Sequence, residues 1–394
     1  MHTNTNGPSS QVWMDADAGD FSVFKKCVEQ VANSDNYPLA ATIEKNIPIY
    51  EGDAVRSAAK DAASRKELMA EWVNILGYGP GIVAIRNAYD DVSPLDNASK
   101  IFDEIIERQR STGEGSGDHF AKPGANDRIW NALEKHCLAD PENFSVYYSN
   151  LALAMICEAW LGPGYQLTAQ VNRVNPGGAA QAPHRDYHLG FMQPEQIARY
   201  PSHIHAISPV LTLQGAVAHC DMPVESGPTM FLPYSQAFFE GYLAFGRPQF
   251  QEYFAENYVQ LPLEKGDAVF FNPALMHGAG ENSSTDIFRM ANLLQISSAF
   301  GVVMENIDRT KMSEVLYPIL LRMKQDGTLN LAEIQAVIGA CSFGYSFPTN
   351  LDTDPPVGGL APQTQAALMI DAIKSDANSE DVIVRLADQA RRRI

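Results

Sequence analysis

Apolar positions in the first third of the chain recur mainly at helical spacing. In residues 100–110 (KIFDEIIERQR), Ile101, Ile105 and Ile106 share one face of a 3.6-residue repeat. Asp96-Asn97-Ala98-Ser99 ahead of them reads as a capping signal. Upstream, Gly81-Ile82-Val83-Ala84-Ile85 is a short β-branched run and predicts a strand. Residues 111–127 are rich in Gly, Ser and Asp and read as a loop.

The texture changes near residue 145. Up to about residue 300, Gly and Pro punctuate short apolar runs: QLTAQVNRV, SPVLTLQGAVAHC, PTMFLP, YVQLPL, DAVFFN and MANLLQIS. Short strands separated by turn residues predict a sandwich, barrel or jelly roll. Helical patterning then returns in MSEVLYPILLRMKQ, LAEIQAVIGA, QTQAALMIDAIKS and SEDVIVRLADQARRR. The reading is therefore a polar flexible arm (1–20), a mainly helical extension packing on the core (21–144), a β core (145–300) and a helical C-terminal extension (301–394). The length of 394 residues allows a full core with such additions.

Charge changes this picture little. The 29 Lys+Arg face 47 Asp+Glu, a net charge of −18. That argues against nucleic acid or an anionic membrane as partner, because both need a basic face. Only 12 of the acidic residues fall in 151–300, so the negative charge lies mostly in the flanks. Five scattered cysteines without a CxxC suit a reducing compartment. The N-terminal segment lacks the basic and apolar regions of a signal peptide, and no long apolar run predicts a membrane span. Together these give a cytoplasmic reading.

Two His-x-Asp pairs occur, His184-Arg185-Asp186 and His219-Cys220-Asp221. On extended backbone, residues i and i+2 point to one side and can hold one metal together. A third ligand from another strand completes the two-histidine, one-carboxylate set of non-heme Fe(II) sites, which leaves positions open for chemistry. The first pair follows the turn Asn175-Pro176-Gly177-Gly178 and opens a new stretch. His277 sits in a small-residue loop after the strand candidate of Gly266–Phe271. Arg289 opens the next strand candidate and is a suitable bidentate partner for a carboxylate.

These segments resemble the phytanoyl-CoA dioxygenase family of Fe(II)/2-oxoglutarate-dependent oxygenases. The likeness runs over about residues 145–300. It comprises the Pro-Gly turn with Gln181 before His184-x-Asp186, the stretch from Asp221 through Gly227-Pro228 to Pro233-Tyr234-Ser235-Gln236, and Gly266-Asp267 through His277, Asn282 and Arg289. Tyr234 stands where the family usually has Gly, and Gln236 where it usually has His. The strand at Gly81–Ile85 and the helix after it also resemble the family's opening.

The resemblance implies a mainly β fold with α flanks: a double-stranded β-helix (jelly roll, cupin-like) with helical additions at both ends. It implies Fe(II) held by His184, Asp186 and His277, 2-oxoglutarate as cosubstrate paired with Arg289, and O2 as co-reactant. The implied reaction is hydroxylation of an unactivated C–H of a small-molecule metabolite or natural product, with release of succinate and CO2. Asp186 argues against halogenation, for which a small residue would leave room for halide. The resemblance also removes the rival pair, since Asp221 falls at a turn and His219 reads as structural.

Thr168, Gln170 and Asn172 share one face of QLTAQVNRV. Gln170 is a candidate 2-oxoglutarate or substrate contact. Asn172, His188 and His119 are candidate substrate contacts, His119 as part of a loop before the core. A homodimer through the helical extensions is a further expectation. Two other readings use the same motifs: a non-catalytic jelly-roll binding or assembly module, and a cosubstrate-independent cupin-type dioxygenase. The intact triad argues against the first, and Arg289 against the second.

Overall fold

Side-chain alternation organises the central sheet. In the computed structural model, which describes residues 12–112, 124–348 and 350–393, the long strand Arg289–Ser297 has two faces. Arg289, Ala291, Leu293 and Gln295 line a cavity. Asn292, Leu294 and Ile296, all fully buried, point the other way. Period 2 thus gives a wet face and a dry face to one strand.

Numbered along the chain, the strands are β1 (Thr42–Glu44), β2 (Ile47–Glu51), β3 (Ile82–Arg86), β4 (Asn126–Ile129), β5 (Gln166–Val174), β6 (Thr212–Ala218), β7 (Met230–Phe231), β8 (Val259–Gln260), β9 (Ala268–Phe271), β10 (His277–Gly278) and β11 (Arg289–Ser297). Eight form the large sheet, in the order β1-β2-β3-β9-β6-β11-β5-β4. Its pairings are antiparallel except β2 with β3. The small sheet is β10-β7-β8. Isolated bridges His184–His277 and Met222–Leu263 extend it.

Between the sheets lies an apolar cluster that includes Ala216, Phe231, Val269, Phe271 and Leu275. The Phe231 and Phe271 rings meet across the gap with centroids 5.0 Å apart. Two facing sheets with helices outside make a double-stranded β-helix core with N- and C-terminal helical parts.

The dry face of the large sheet carries the helices. Ala62–Tyr78, Ser93–Thr112 and Leu151–Leu161 pack there with Arg309–Gln325 and Leu331–Cys341 from the other end of the chain. Trp72, Phe102, Ile156, Leu294, Leu316 and Val337 belong to one continuous core. Buried Arg309 ties the layers, donating to the Leu167 carbonyl at 2.6 Å and the Ala340 carbonyl at 3.2 Å.

Three details differ from the sequence reading. β1 to β4 lie in 42–129, so the segment read as a helical extension also supplies half of the large sheet. The helix read as starting near Ser99 starts at Ser93, where Asp91 accepts from the Ser93 N–H at 2.9 Å and Pro94 supplies a preset φ. Finally, His184 sits on a single bridge rather than in a strand. The chain turns at once into a short helical segment, His188–Phe191, through Tyr187 (φ 64°) and His188 (φ 39°).

Candidate active site

His184 and His277 face each other across their bridge, exchanging backbone hydrogen bonds of 2.9 and 3.1 Å. That ladder fixes the spacing of the two rings, whose centroids are 4.6 Å apart. Asp186 is held against the same loop by its N–H, which donates to the Pro273 carbonyl at 3.0 Å. One carboxylate oxygen of Asp186 lies 3.5 Å from His184 Nε2, and the other 3.5 Å from His277 Nε2. Ligand atoms of the three residues lie within 4.8 Å of one another, the one such trio among the described residues.

The tautomers follow from the outer contacts. His184 Nδ1 is 2.9 Å from the Ala182 carbonyl, and His277 Nδ1 is 2.8 Å from the Leu275 carbonyl. A carbonyl only accepts, so each Nδ1 carries the proton and each Nε2 presents a lone pair inward. Burial, and then the neighbouring His277, hold the His184 imidazole below its ordinary pKa. For Asp186, burial works against the charge. The two histidines beside it and the Gln214 amide, which donates to it, outweigh that cost, and the carboxyl stays well below its usual range. Two imidazoles with an ionised carboxylate form a donor set that suits Fe(II).

The trio lies in the wall of a cavity of about 650 Å³ between the sheets. Its walls are largely apolar, with Ala216, Phe231, Leu261, Val269, Phe271 and Leu293. Arg289 lies in the same cavity, 6% exposed. It donates from Nη1 to the Ser226 carbonyl at 2.9 Å and the Gly280 carbonyl at 3.4 Å. No carboxylate pairs with it among the described residues, and burial draws its pKa down to about 10, still charged at neutral pH. A buried cation without a counter-ion is costly unless a bound anion completes it. The residues present therefore fit both a divalent metal and a carboxylate-bearing cosubstrate.

A family model for phytanoyl-CoA dioxygenase (PhyH) matches residues 78–291. The chain belongs to the phytanoyl-CoA dioxygenase family. It is thus a member of the iron- and 2-oxoglutarate-dependent class of non-heme enzymes. Among solved structures, it is similar to the non-heme alpha ketoglutarate dependent epimerase SnoN from nogalamycin biosynthesis. That identity is 21%, covering 61% of this chain and 84% of the other, with a TM-score of 0.39. The non-heme alpha ketoglutarate dependent carbocyclase SnoK from nogalamycin biosynthesis is 18% identical, covering 63% and 91%, with a TM-score of 0.44. No curated protein matches the chain.

The two departures from the family's motif have local explanations. Tyr234, at the usual Gly, has φ 69°, the left-handed region that favours glycine. Its ring is buried, 4% exposed. Gln236, at the usual His, donates to the Gly79 carbonyl at 2.7 Å. Gly81 (φ +83°) makes room for it, since a Cβ there would stand 2.6 Å from the Gln236 amide.

The other residues singled out from sequence separate clearly. Gln170 and Asn172 do line the cavity. Gln170 accepts from Arg128 Nη2 at 2.9 Å and Asn172 from Asn126 at 3.2 Å. His188 does not line it. The two positive-φ residues turn the chain, and its Nδ1 is 3.4 Å from Ser208 Oγ, so the structure places it outside the cavity lining. His119 lies outside the described residues. His219 is structural, held between Ser99 Oγ and the Tyr147 hydroxyl at 2.9 Å each.

Sequence reasoning missed Gln214, which donates to Asp186. It also missed the cavity residues Arg128, Trp130 and Phe191. For Gln214 a signal existed: it is the one amide in the apolar run Leu213–Ala218. For Arg128 and Trp130 there was none, because a loop-like stretch hid strand β4.

Proposed function

We propose that the protein is an Fe(II)- and 2-oxoglutarate-dependent dioxygenase that hydroxylates a C–H bond of a small molecule held in the inter-sheet cavity. The observation that carries this reading is the junction, in one cavity, of the His184–Asp186–His277 trio and the Arg289 cation, which no carboxylate pairs with among the described residues. His184, Asp186 and His277 would hold the metal, and Arg289 the distal carboxylate of 2-oxoglutarate. Bound together, metal and cosubstrate supply the oxidising power, dioxygen being spent on decarboxylating 2-oxoglutarate to succinate and CO2 and on oxygenating substrate.

The protein's own work is to hold and to shield. The Ala182 and Leu275 carbonyls keep both imidazoles aimed inward. The apolar walls keep water from the reacting centre. Arg128 and Trp130, whose ring lies 4.8 Å from the guanidinium, stand with Gln170 and Asn172 on the β4–β5 side of the cavity. They offer the substrate a flat surface and hydrogen-bonding groups, while the opposite walls offer apolar contact.

The test is succinate formation from 2-oxoglutarate with Fe(II) and ascorbate. The parent protein should turn over slowly even without substrate, and His184→Ala should lose that activity. Persistence in the variant would remove the trio from the metal site. Screening metabolites for faster succinate release, with the products weighed by mass spectrometry, tests hydroxylation. A gain of one oxygen is expected; an unchanged mass would point to epimerisation.

A further inference from the structure

Asp186 stands at the end of a hydrogen-bond chain that runs along the cavity wall through Gln214 and Gln295. Gln214 Nε2 donates to Asp186 Oδ2 and also to Gln295 Oε1 at 3.2 Å. Gln295 Oε1 in turn accepts from the Tyr187 hydroxyl at 2.6 Å. Gln214 and Gln295 pair directly across β6 and β11, so the sheet register sets their approach. All three are nearly inaccessible to solvent: Tyr187 is 3% exposed, Gln214 4% and Gln295 7%.

The direction of every bond follows from one charge. An ionised Asp186 can only accept, so Gln214 must present its NH2 group. With that group between Asp186 and Gln295, Gln295 must present its oxygen. The Tyr187 hydroxyl must then give its hydrogen to that oxygen. The arrangement leaves the Gln214 amide oxygen buried without a partner among the described residues. An unmet buried acceptor is costly. Turning the amide over would set its oxygen against the carboxylate, so the orientation shown is the one Asp186 enforces.

We propose that Gln214, held by Gln295 and Tyr187, is the positioning residue that orients Asp186 for metal binding. It acts through Asp186 and touches the metal in no step. This rests on the assignment of His184, Asp186 and His277 as the metal-holding trio. Outer partners of metal-ligating carboxylates typically carry about 10–100-fold in metal affinity.

The experiment is anaerobic titration of the full chain with Mn(II), followed by calorimetry and by the electron paramagnetic resonance of the bound ion. Gln214→Met keeps the length of the side chain and removes both donors. It should raise the Mn(II) dissociation constant about tenfold or more and broaden the resonance as the carboxylate loses its fixed orientation. Tyr187→Phe should move both readouts the same way by a smaller factor, and adding it to Gln214→Met should have no further effect. If Gln214→Met fails to fold, judged by metal-free thermal unfolding, Tyr187→Phe decides alone. Parent-like affinity and an unchanged spectrum in the folded variants would overturn the positioning role while leaving the trio intact. A parent protein that does not bind Mn(II), or a His184→Ala variant that binds it equally well, would overturn the trio and this role together.

Discussion

Arg289 shows how one side chain acquires a role from its surroundings. Its two visible bonds go to the carbonyls of Ser226 and Gly280, which are neutral and leave the charge uncompensated. A charge-assisted pair with a carboxylate is worth roughly 1.5–3 kcal/mol, or about 10–100-fold in binding. Arg289→Ala should therefore raise the 2-oxoglutarate concentration needed for half-maximal succinate release by about that factor. Metal affinity measured without cosubstrate should stay unchanged. Arg289→Lys should recover only part of the loss, because an ammonium lacks the planar fork. An unchanged 2-oxoglutarate requirement in Arg289→Ala would remove the residue from cosubstrate binding. Sequence already marked this arginine, but a strand-opening Arg is ordinary on a surface. Its burial with no partner carboxylate among the described residues is what the fold adds.

Among the elements, the turn at Val224–Gly227 supports that arginine. Ser226 gives its carbonyl to Arg289, and Gly227 follows with φ +74°. A Cβ on Gly227 would lie 2.3 Å from the Glu281 carbonyl oxygen and 2.5 Å from that of Gly280. Both are backbone atoms that cannot swing aside. Gly227→Ala should push these two segments apart and displace both carbonyls that Arg289 uses. The expected result is a lower thermal midpoint together with a raised 2-oxoglutarate requirement. A variant equal to the parent in both would show that the turn does not brace the arginine.

Legibility at this scale was uneven. The runs that became β5, β6 and β11 were readable because nine- or seven-residue strands carry enough alternation or apolarity to stand out, and four-residue β9 because all its residues are apolar. β4 and β10, of four and two residues, went unread, while β7 and β8, two residues each, were only located within the longer runs PTMFLP and YVQLPL. Such strands have no period of their own and exist because a partner is already in place. His184 and His277 show the same dependence, since their spacing comes from a single bridge between segments distant in sequence.

Across the whole molecule, the dry face of the sheet contains a buried polar knot. His219 joins Ser99 to Tyr147, the Tyr147 hydroxyl accepts from Asn292 at 3.0 Å, and His136 faces Asn143 at 2.7 Å. Burial pushes His219 down to about 3 and His136 down to about 4, so both fold as neutral imidazoles. Unfolded, each would titrate near ~6.5. As pH falls through that value, the unfolded chain takes up protons that the folded one refuses. Stability from these residues is therefore complete above about pH 6.5 and declines as pH drops toward 4, by ~1.4 kcal/mol per unit for each histidine. Urea unfolding between pH 7 and 4.5 should show this decline. His219→Gln, which retains a donor and an acceptor but no titration, should show a shallower one. Equal slopes in the two proteins would exclude His219 as a source of the acid sensitivity. The helical flanks that bury this knot also hold most of the acidic residues. Among the described residues, no helix is long and apolar enough to cross a membrane.

The sequence by itself determined the long strands, the C-terminal helices and the choice of His184, Asp186, His277 and Arg289 as candidates. The elements rest on local periodicity, and the candidates on motifs that resemble those of the family. Tertiary structure alone decided that the N-terminal part completes the large sheet, that His188 turns toward Ser208, and that Tyr187, Gln295 and Gln214 form a chain ending on Asp186. The reason is physical. Short-strand pairing, the direction of a side chain after a positive-φ turn, and the polarity of a buried hydrogen-bond chain all depend on neighbours far away in sequence. No local pattern records them.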